Sequence, residues 1–296
     1  MVKRFAIVIG AMKAGTTTIV DNLARHPHVA AAQPKEPGFF AFEEIHAKGA
    51  DWYESLFSFD PERHRLAIEG STDYAKYPHA SDVAERMRAF ERTHGCEIRL
   101  IYAVRHPLRR IESHARHVQR TGKELGQRPS DRPDHGLDAG VSRLSLDVAR
   151  YAAQLDQYRD FVDASRLKIV VLETLSAAPD QTMADLCAYL DLDPSLLPPG
   201  VDARNRKRDV RRLDEMPAAW SAVAGVGPLK ALYGAVVPER ARVRLRNGLR
   251  KTEKVEGRFA LTSDESAQLL DVLRPDLRRL RDDYGIDVEK TWGIVL

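Results

Sequence analysis

Short runs of consecutive apolar residues alternate along the chain with stretches in which apolar positions recur every three or four residues. Phe5 to Ile9 is all apolar and ends at Gly10. Such a run reads as a strand buried on both faces, as in a parallel sheet. Ile98 to Val104 and Leu167 to Leu172 are two more, and Val29 to Ala32 is a shorter candidate. Elsewhere the period lengthens. Thr16 to about Arg25 has helical spacing and stops at His26-Pro27, because the residue before a proline avoids the α region. Pro107 stands where a helix can begin, with Leu108, Ile111 and Ala115 in helical register. Helices are also predicted over Leu146 to Phe161 and from about Asp180 to Leu190. An amphipathic one is predicted over Leu261 to Tyr284, with Leu269, Val272, Leu277 and Leu280 on its apolar stripe. Strand alternating with helix predicts an α/β fold, a central parallel sheet flanked by helices.

The breaks in this pattern say how the chain is organised. Residues 121–143 hold four glycines and two prolines with few apolar positions, a long polar loop of the kind that serves as an active-site lid. With 296 residues, a single domain over 1–296 is expected, its C-terminal helix, within 261–296, packing on the rest. No apolar run approaches the ~18 residues of a membrane span, and the apolar stretch near Met1 is too short for a signal peptide. Cys96 and Cys187 match neither a disulfide framework nor a metal spacing. A soluble, cytoplasmic protein without metal is the expectation. The net charge of +3 is unevenly spread. Residues 201–260 carry 15 lysines and arginines against seven acidic residues, a local excess of eight. That excess suits an anionic partner, such as a membrane surface or an acidic acceptor, or equally a solvated basic face. No nucleic-acid partner is expected.

Two sites of candidate chemistry follow strands. The first strand runs into Gly10-Ala-Met-Lys13-Ala14-Gly15-Thr16-Thr17-Thr18 and then a helix. A strand, a glycine turn and a helix N-terminus form an anion site, since backbone N–H groups and the helix dipole point the same way. The two glycines bracket the loop as in GxxxxGK[ST], but a threonine replaces the lysine, which sits two residues before Gly15. The loop is therefore not arranged for ATP–Mg chemistry. A simple strand-to-helix turn containing a lysine is the other reading. At the second site, Ile98–Val104 leads to Arg105-His106-Pro107, with Ser113 eight residues beyond Arg105. Arg105 stands at the C-terminal end of a strand, where α/β folds bind ligands. Arg109, Arg110 and Arg116 read equally as a solvated face.

These segments resemble the sulfotransferases that use 3′-phosphoadenylyl sulfate (PAPS), in particular the bacterial and glycan-modifying members. Lys13-Ala14-Gly15-Thr16-Thr17 matches the K-x-G-T-T of their 5′-phosphosulfate loop. Arg105 and Ser113 match the arginine and serine that grip the 3′-phosphate, with His106 where aspartate is usual. Lys35-Glu36-Pro37-Gly38-Phe39-Phe40 is similar to a segment whose glutamate takes the acceptor's proton. The resemblance thus implies a P-loop-like three-layer fold and a sulfotransferase with Lys13 and Glu36 as catalytic residues. Lys13, Ala14, Gly15, Thr16, Thr17, Thr18, Arg105 and Ser113 would bind the donor, and the product would be adenosine 3′,5′-bisphosphate. Phe39 and Phe40 are assigned to the acceptor. So, loosely, are Ser71 and Thr72 of Glu69-Gly70-Ser71-Thr72-Asp73-Tyr74, which looks like the family's E-K-[ST]-P-x-Y with Gly70 for its lysine. In Val255-Glu256-Gly257-Arg258, similar to a K-G-R turn, Arg258 is carried over as a 3′-phosphate ligand although Glu256 replaces the lysine. Residues 213–250 resemble nothing in the family. His26, His28 and His46 are rivals to Glu36 for the role of base. The implied acceptor is a saccharide or glycolipid, with a small natural-product alcohol or amine as the alternative. A P-loop nucleotide kinase and a non-enzymatic anion-binding module are the competing classes.

Overall fold

Five parallel strands form the central sheet: β1 (Arg4–Gly10), β2 (Val29–Ala31), β3 (Leu66–Glu69), β4 (Glu97–Val104) and β5 (Leu167–Val171), in the order β2-β3-β1-β4-β5. The structure is a computed structural model and describes residues 2–121, 141–201, 210–212, 252–254 and 259–296. Continuous apolar runs form the middle strands because both faces are covered. From Phe5 to Gly10 every residue of β1 is buried. Its register with β4 pairs Phe5 with Ile98 and Ile7 with Leu100.

The connections explain the layers. The step from β1 to β2, through α1 (Thr16–Leu23), crosses the sheet in one direction, and the steps β2→β3, β3→β4 and β4→β5 return in the other. Right-handed crossovers then put α1 on one face and α3 (Gly49–Ser55), α4 (Val83–His94) and α7 (Tyr151–Asp156) on the opposite one. α2 (Glu43–His46) precedes α3. α9 (Pro179–Tyr189) packs against α1, and α10 (Ser263–Tyr284) against α7, so a helical layer covers each face. β1 is the strand at which the direction reverses, and ligands of such sheets bind outside the strand ends at that point. The α/β class and the parallel sheet read from the sequence are observed.

Several details differ from the sequence pattern. The stretch expected as one helix over Leu146 to Phe161 is two short ones, α6 (Arg143–Asp147) and α7, broken between them. The buried Asp276 carboxylate of α10 accepts the N–H groups of Ala152 and Ala153 at 3.0 and 2.9 Å, capping α7 where a continuous helix would have used those donors itself. Strand β3 and helix α4 were not seen in the pattern. Val272 is 39% exposed, while Leu269, Leu273, Leu277 and Leu280 form the buried stripe of α10. That helix starts at a capping box between Thr262 and Glu265, a device worth about 1 kcal/mol.

By its contacts the chain divides into two compact units. The first comprises Met1–His114, Arg132–Asn205 and Leu261–Leu296, and the second Ala115–Asp131 and Arg206–Ala260. The first holds the five-stranded sheet. The second holds a two-stranded antiparallel pair, β6 (Val210–Arg212) and β7 (Thr252–Lys254). No helix among the described residues is long and apolar enough to cross a membrane.

Candidate active site

The turn after β1 is fixed by one backbone bond and one glycine. The Ala11 N–H donates to the Ala103 carbonyl at 2.7 Å, so the chain leaves β1 alongside the end of β4. Gly15, at φ 96°, is the N-cap of α1, and no side chain caps this helix. A Cβ at Gly15 would lie 2.7 Å from Leu172 Cδ1 and in a left-handed conformation that L-residues avoid. The N–H groups of Thr16, Thr17 and Thr18 have no partners within the helix, and its dipole adds partial positive charge at the same place. That cradle fits an anion. Lys13 holds φ 72°, a conformation that costs a non-glycine residue on the order of 1 kcal/mol and recurs at ligand clamps.

The turn after β4 is clamped on both sides of one peptide. The Tyr151 hydroxyl donates to the Arg105 carbonyl at 2.7 Å, and the His106 N–H donates to Glu173 Oε1 at 3.1 Å. Glu173 belongs to α8 (Leu172–Ala177), and its Oε2 accepts from Trp292 Nε1 of α11 (Val288–Trp292) at 3.2 Å. Burial, helped by the Arg109 charge, pushes the His106 imidazole below its ordinary range, so it is neutral at pH 7. Pro107 then opens α5 (Pro107–Thr121), with half-buried Ser113 two turns along. Arg110 is not part of a solvated face. It is fully buried and donates to the backbone carbonyl and, at 3.0 Å, the Oγ of Ser145. It pins α6 to α5.

On the other side of β1, the segment carrying Glu36 is tied to the end of β3. Gly70 N–H donates to the Lys35 carbonyl at 3.2 Å, Gly38 N–H to Ser71 Oγ at 3.0 Å, and Phe40 N–H to the Tyr74 hydroxyl at 3.3 Å. Gly70 backs onto β1 and α1, where a Cβ would come within 2.7 Å of Val20 Cγ2. Glu36 itself is exposed and pairs with Lys35 Nζ at 2.7 Å, and that ammonium also reaches the Gly70 carbonyl at 3.3 Å.

Phe39 and Phe40 point inward. They are 1% and 0% exposed, and Phe39 stacks on Tyr53 with ring centres 4.4 Å apart. Phe90 closes the cluster against both rings. Ser71 and Thr72 are buried as well. Of the rival histidines, His26 is buried with Nε2 3.0 Å from the Asp193 carbonyl, and His46 lies against the Phe39 ring. Beneath the segment, Glu69 is fully buried. Its Oε1 accepts from Tyr74 at 2.7 Å and Tyr53 at 3.2 Å, and its Oε2 from Ser71 at 2.8 Å. Burial raises its pKa to about 7, against the pull of those three hydroxyls and the Lys35 charge.

The sheet edge thus presents three segments side by side: the Glu36 segment at β3, the Lys13 loop at β1 and the Arg105 turn at β4. Arg258 lies outside the described residues, as do most of the 121–143 loop and of the basic stretch 201–260. Sequence reasoning named Glu69 and Tyr74 in their segment without giving them a role, and missed Tyr53, Glu173 and Trp292. A charged residue closing the apolar run Leu66–Ile68 was the available signal for Glu69. Among the described residues no group of three His, Cys, Asp or Glu side chains is arranged for a metal.

No family model matches the sequence. Curated proteins do. The chain is 23% identical over 204 residues to the bifunctional heparan sulfate N-deacetylase/N-sulfotransferase 1 of Caenorhabditis briggsae, covering 63% of this chain and 22% of that protein. It is 34% identical over 108 residues to the heparan sulfate glucosamine 3-O-sulfotransferase 5 of Mus musculus, covering 36% of this chain and 29% of that one. The chain therefore spans less than a third of either relative. Among solved structures, the sulfotransferase from Alicyclobacillus acidocaldarius matches with a TM-score of 0.52 at 22% identity, over 82% of this chain and 100% of that one. The fold is the P-loop-like α/β fold of that structure, built on a five-stranded parallel sheet. The chain is thus similar over part of its length to curated sulfotransferases and shares the fold of a solved one.

Proposed function

We propose that the domain transfers a sulfuryl group from PAPS to a hydroxyl or amine of a saccharide acceptor. The observation that carries this reading is the order of the three segments, with the Lys13 loop between Glu36 and Arg105. A donor charged at both its 5′ and 3′ ends needs two anion sites, and the neighbouring β1 and β4 turns suit them. Lys13 and the N–H groups of Thr16, Thr17 and Thr18 take the 5′-phosphosulfate. Arg105 and Ser113 take the 3′-phosphate through charge-assisted hydrogen bonds. Ala14 and Gly15 let the backbone approach.

The acceptor's oxygen or nitrogen bonds to sulfur as the bond from sulfur to the bridging phosphate oxygen breaks. The proton passes to the Glu36 carboxylate, and the electron pair leaves with adenosine 3′,5′-bisphosphate. Lys13 stabilises the charge growing on that oxygen. Phe39, Phe40 and Ser71 serve the acceptor side from below, by fixing the segment on which Glu36 stands; Thr72 is buried beside them. The heparan sulfate relatives named above support a saccharide acceptor.

The test is thermal shift of the full chain with adenosine 3′,5′-bisphosphate against ATP–Mg, followed by transfer from labelled PAPS to desulfated heparan-type saccharides and to small alcohols. Stabilisation by the bisphosphate alone is expected, with label in the saccharide. Stabilisation by ATP–Mg alone sinks the reading in favour of a kinase. Label in small alcohols alone overturns the saccharide acceptor.

A further inference from the structure

Glu69 has no part in the transfer reaction described above, yet it sits at the centre of the contacts that hold the Glu36 segment. We propose that Glu69 is a positioning residue whose ionised carboxylate orients the Ser71 and Tyr74 hydroxyls to receive the backbone of the Glu36 segment. The inference rests on the reading of Glu36 as the base only for its effect on turnover, not for its structural part.

Ser71 and Tyr74 each own one hydroxyl hydrogen and two lone pairs. Each donates that hydrogen to Glu69, at 2.8 and 2.7 Å, and accepts a main-chain N–H, from Gly38 at 3.0 Å and Phe40 at 3.3 Å. Tyr53, from α3, donates a third hydrogen to the carboxylate at 3.2 Å. With Glu69 ionised, every donor in the set has an acceptor. One added proton makes the carboxyl a donor as well, and in a site with no exposed surface that hydrogen either goes without an acceptor or displaces one hydroxyl hydrogen from Glu69. A hydroxyl so displaced no longer presents the same lone pair to Gly38 or Phe40.

The titratable groups that face Glu69 are few. Tyr53 and Tyr74 have pKa values held high by burial and by the carboxylate, so they stay protonated hydrogen donors. The Lys35 charge favours the ionised form, and Tyr158 feels the same carboxylate while its own hydroxyl donates to the Tyr74 carbonyl at 2.7 Å. The balance of burial against these partners puts the transition close to neutral pH.

The experiment is amide hydrogen exchange, read as protection factors at Gly38 and Phe40 from pH 5.5 to 8.5, with Ala30 of β2 as the internal reference. In the wild type, protection at both amides is expected to rise several-fold through pH 7 relative to Ala30. In Glu69→Gln the rise is expected to vanish. Ser71→Ala should lower Gly38 selectively, and Tyr74→Phe should lower Phe40 selectively, which keeps the test alive should Glu69→Gln fail to fold. Protection without pH dependence in the wild type, or the same profile in Glu69→Gln, overturns the proposal. If the amides respond as expected while kcat does not, the relay stands and the assignment of Glu36 as base is what fails.

Discussion

The two flanks of β1 solve the same positioning problem with different materials. On the β4 side, the anion cradle is made from backbone: the Ala11 N–H on the Ala103 carbonyl, Gly15 in the left-handed region, and the uncapped start of α1. On the β3 side, the Glu36 segment hangs from side chains, and those depend on one buried carboxylate. Backbone geometry is nearly indifferent to pH and to single side-chain changes. A hydroxyl network around a titratable group is sensitive to both. The Lys13 loop is thus a rigid mould, and the Glu36 segment an adjustable support.

The sharpest way to break this contrast is at Lys13. Lys13→Gly should lower kcat by about 10³-fold, the scale of removing one charge-stabilising donor. Because glycine tolerates φ 72°, Tm should hold or rise. A fall in Tm with retained turnover would mean that Lys13 is only structural. Next, Glu36→Gln should lower kcat by about 10²-fold or more with bisphosphate affinity unchanged, measured by calorimetry and steady-state assay. Near-full rate removes Glu36 as base. Arg105→Ala should weaken adenosine 3′,5′-bisphosphate binding by roughly ten- to a hundredfold, the worth of a charged hydrogen bond, measured by calorimetry.

Smaller effects sharpen the contrast further. Glu69 has its pKa raised from 4.5 to about 7 on folding. Its contribution to stability is therefore fully present below pH 4.5 and is lost as pH rises through about 7. Urea unfolding across that window should show this slope in the wild type and lack it in Glu69→Gln. An equal slope in both assigns the effect elsewhere. Trp292→Phe replaces the indole by a smaller aromatic ring and removes the N–H to Glu173, and should weaken bisphosphate binding only several-fold. Unchanged binding would free the Arg105 turn from this strut.

The geometry of the Lys13 loop was legible in the sequence because its requirements are local. Phe5–Ile9 declares a buried strand, Gly15 declares a left-handed turn, and Pro107 declares a helix start, each within a few residues. The Glu36 segment was legible only in part. Glu36 could be singled out, but the direction of Phe39 and Phe40 could not, since an aromatic pair does not say whether its rings face a ligand or the interior. Tyr53 and Phe90, from two other helices, decide it. β3 has four residues and closes on a glutamate, so its pattern is too short to read as a strand. Arg110, one of several arginines on α5, becomes distinctive only through Ser145 on the far side of the 121–143 loop. The helix expected over Leu146 to Phe161 breaks because of a carboxylate more than a hundred residues away.

Trp292 gives the fold a timetable. All five strands of the central sheet, and both partners of the Ala11–Ala103 bond, lie within the first 171 residues. The peptide after Arg105 waits for Glu173 to be fixed, and Glu173 waits for an indole that arrives with the final helix. Contacts between such distant parts of a chain form slowly, because the intervening loop must first be closed. During refolding the sheet is expected to form before the turn after Arg105 is fixed, so native-like circular dichroism should recover before affinity for adenosine 3′,5′-bisphosphate does.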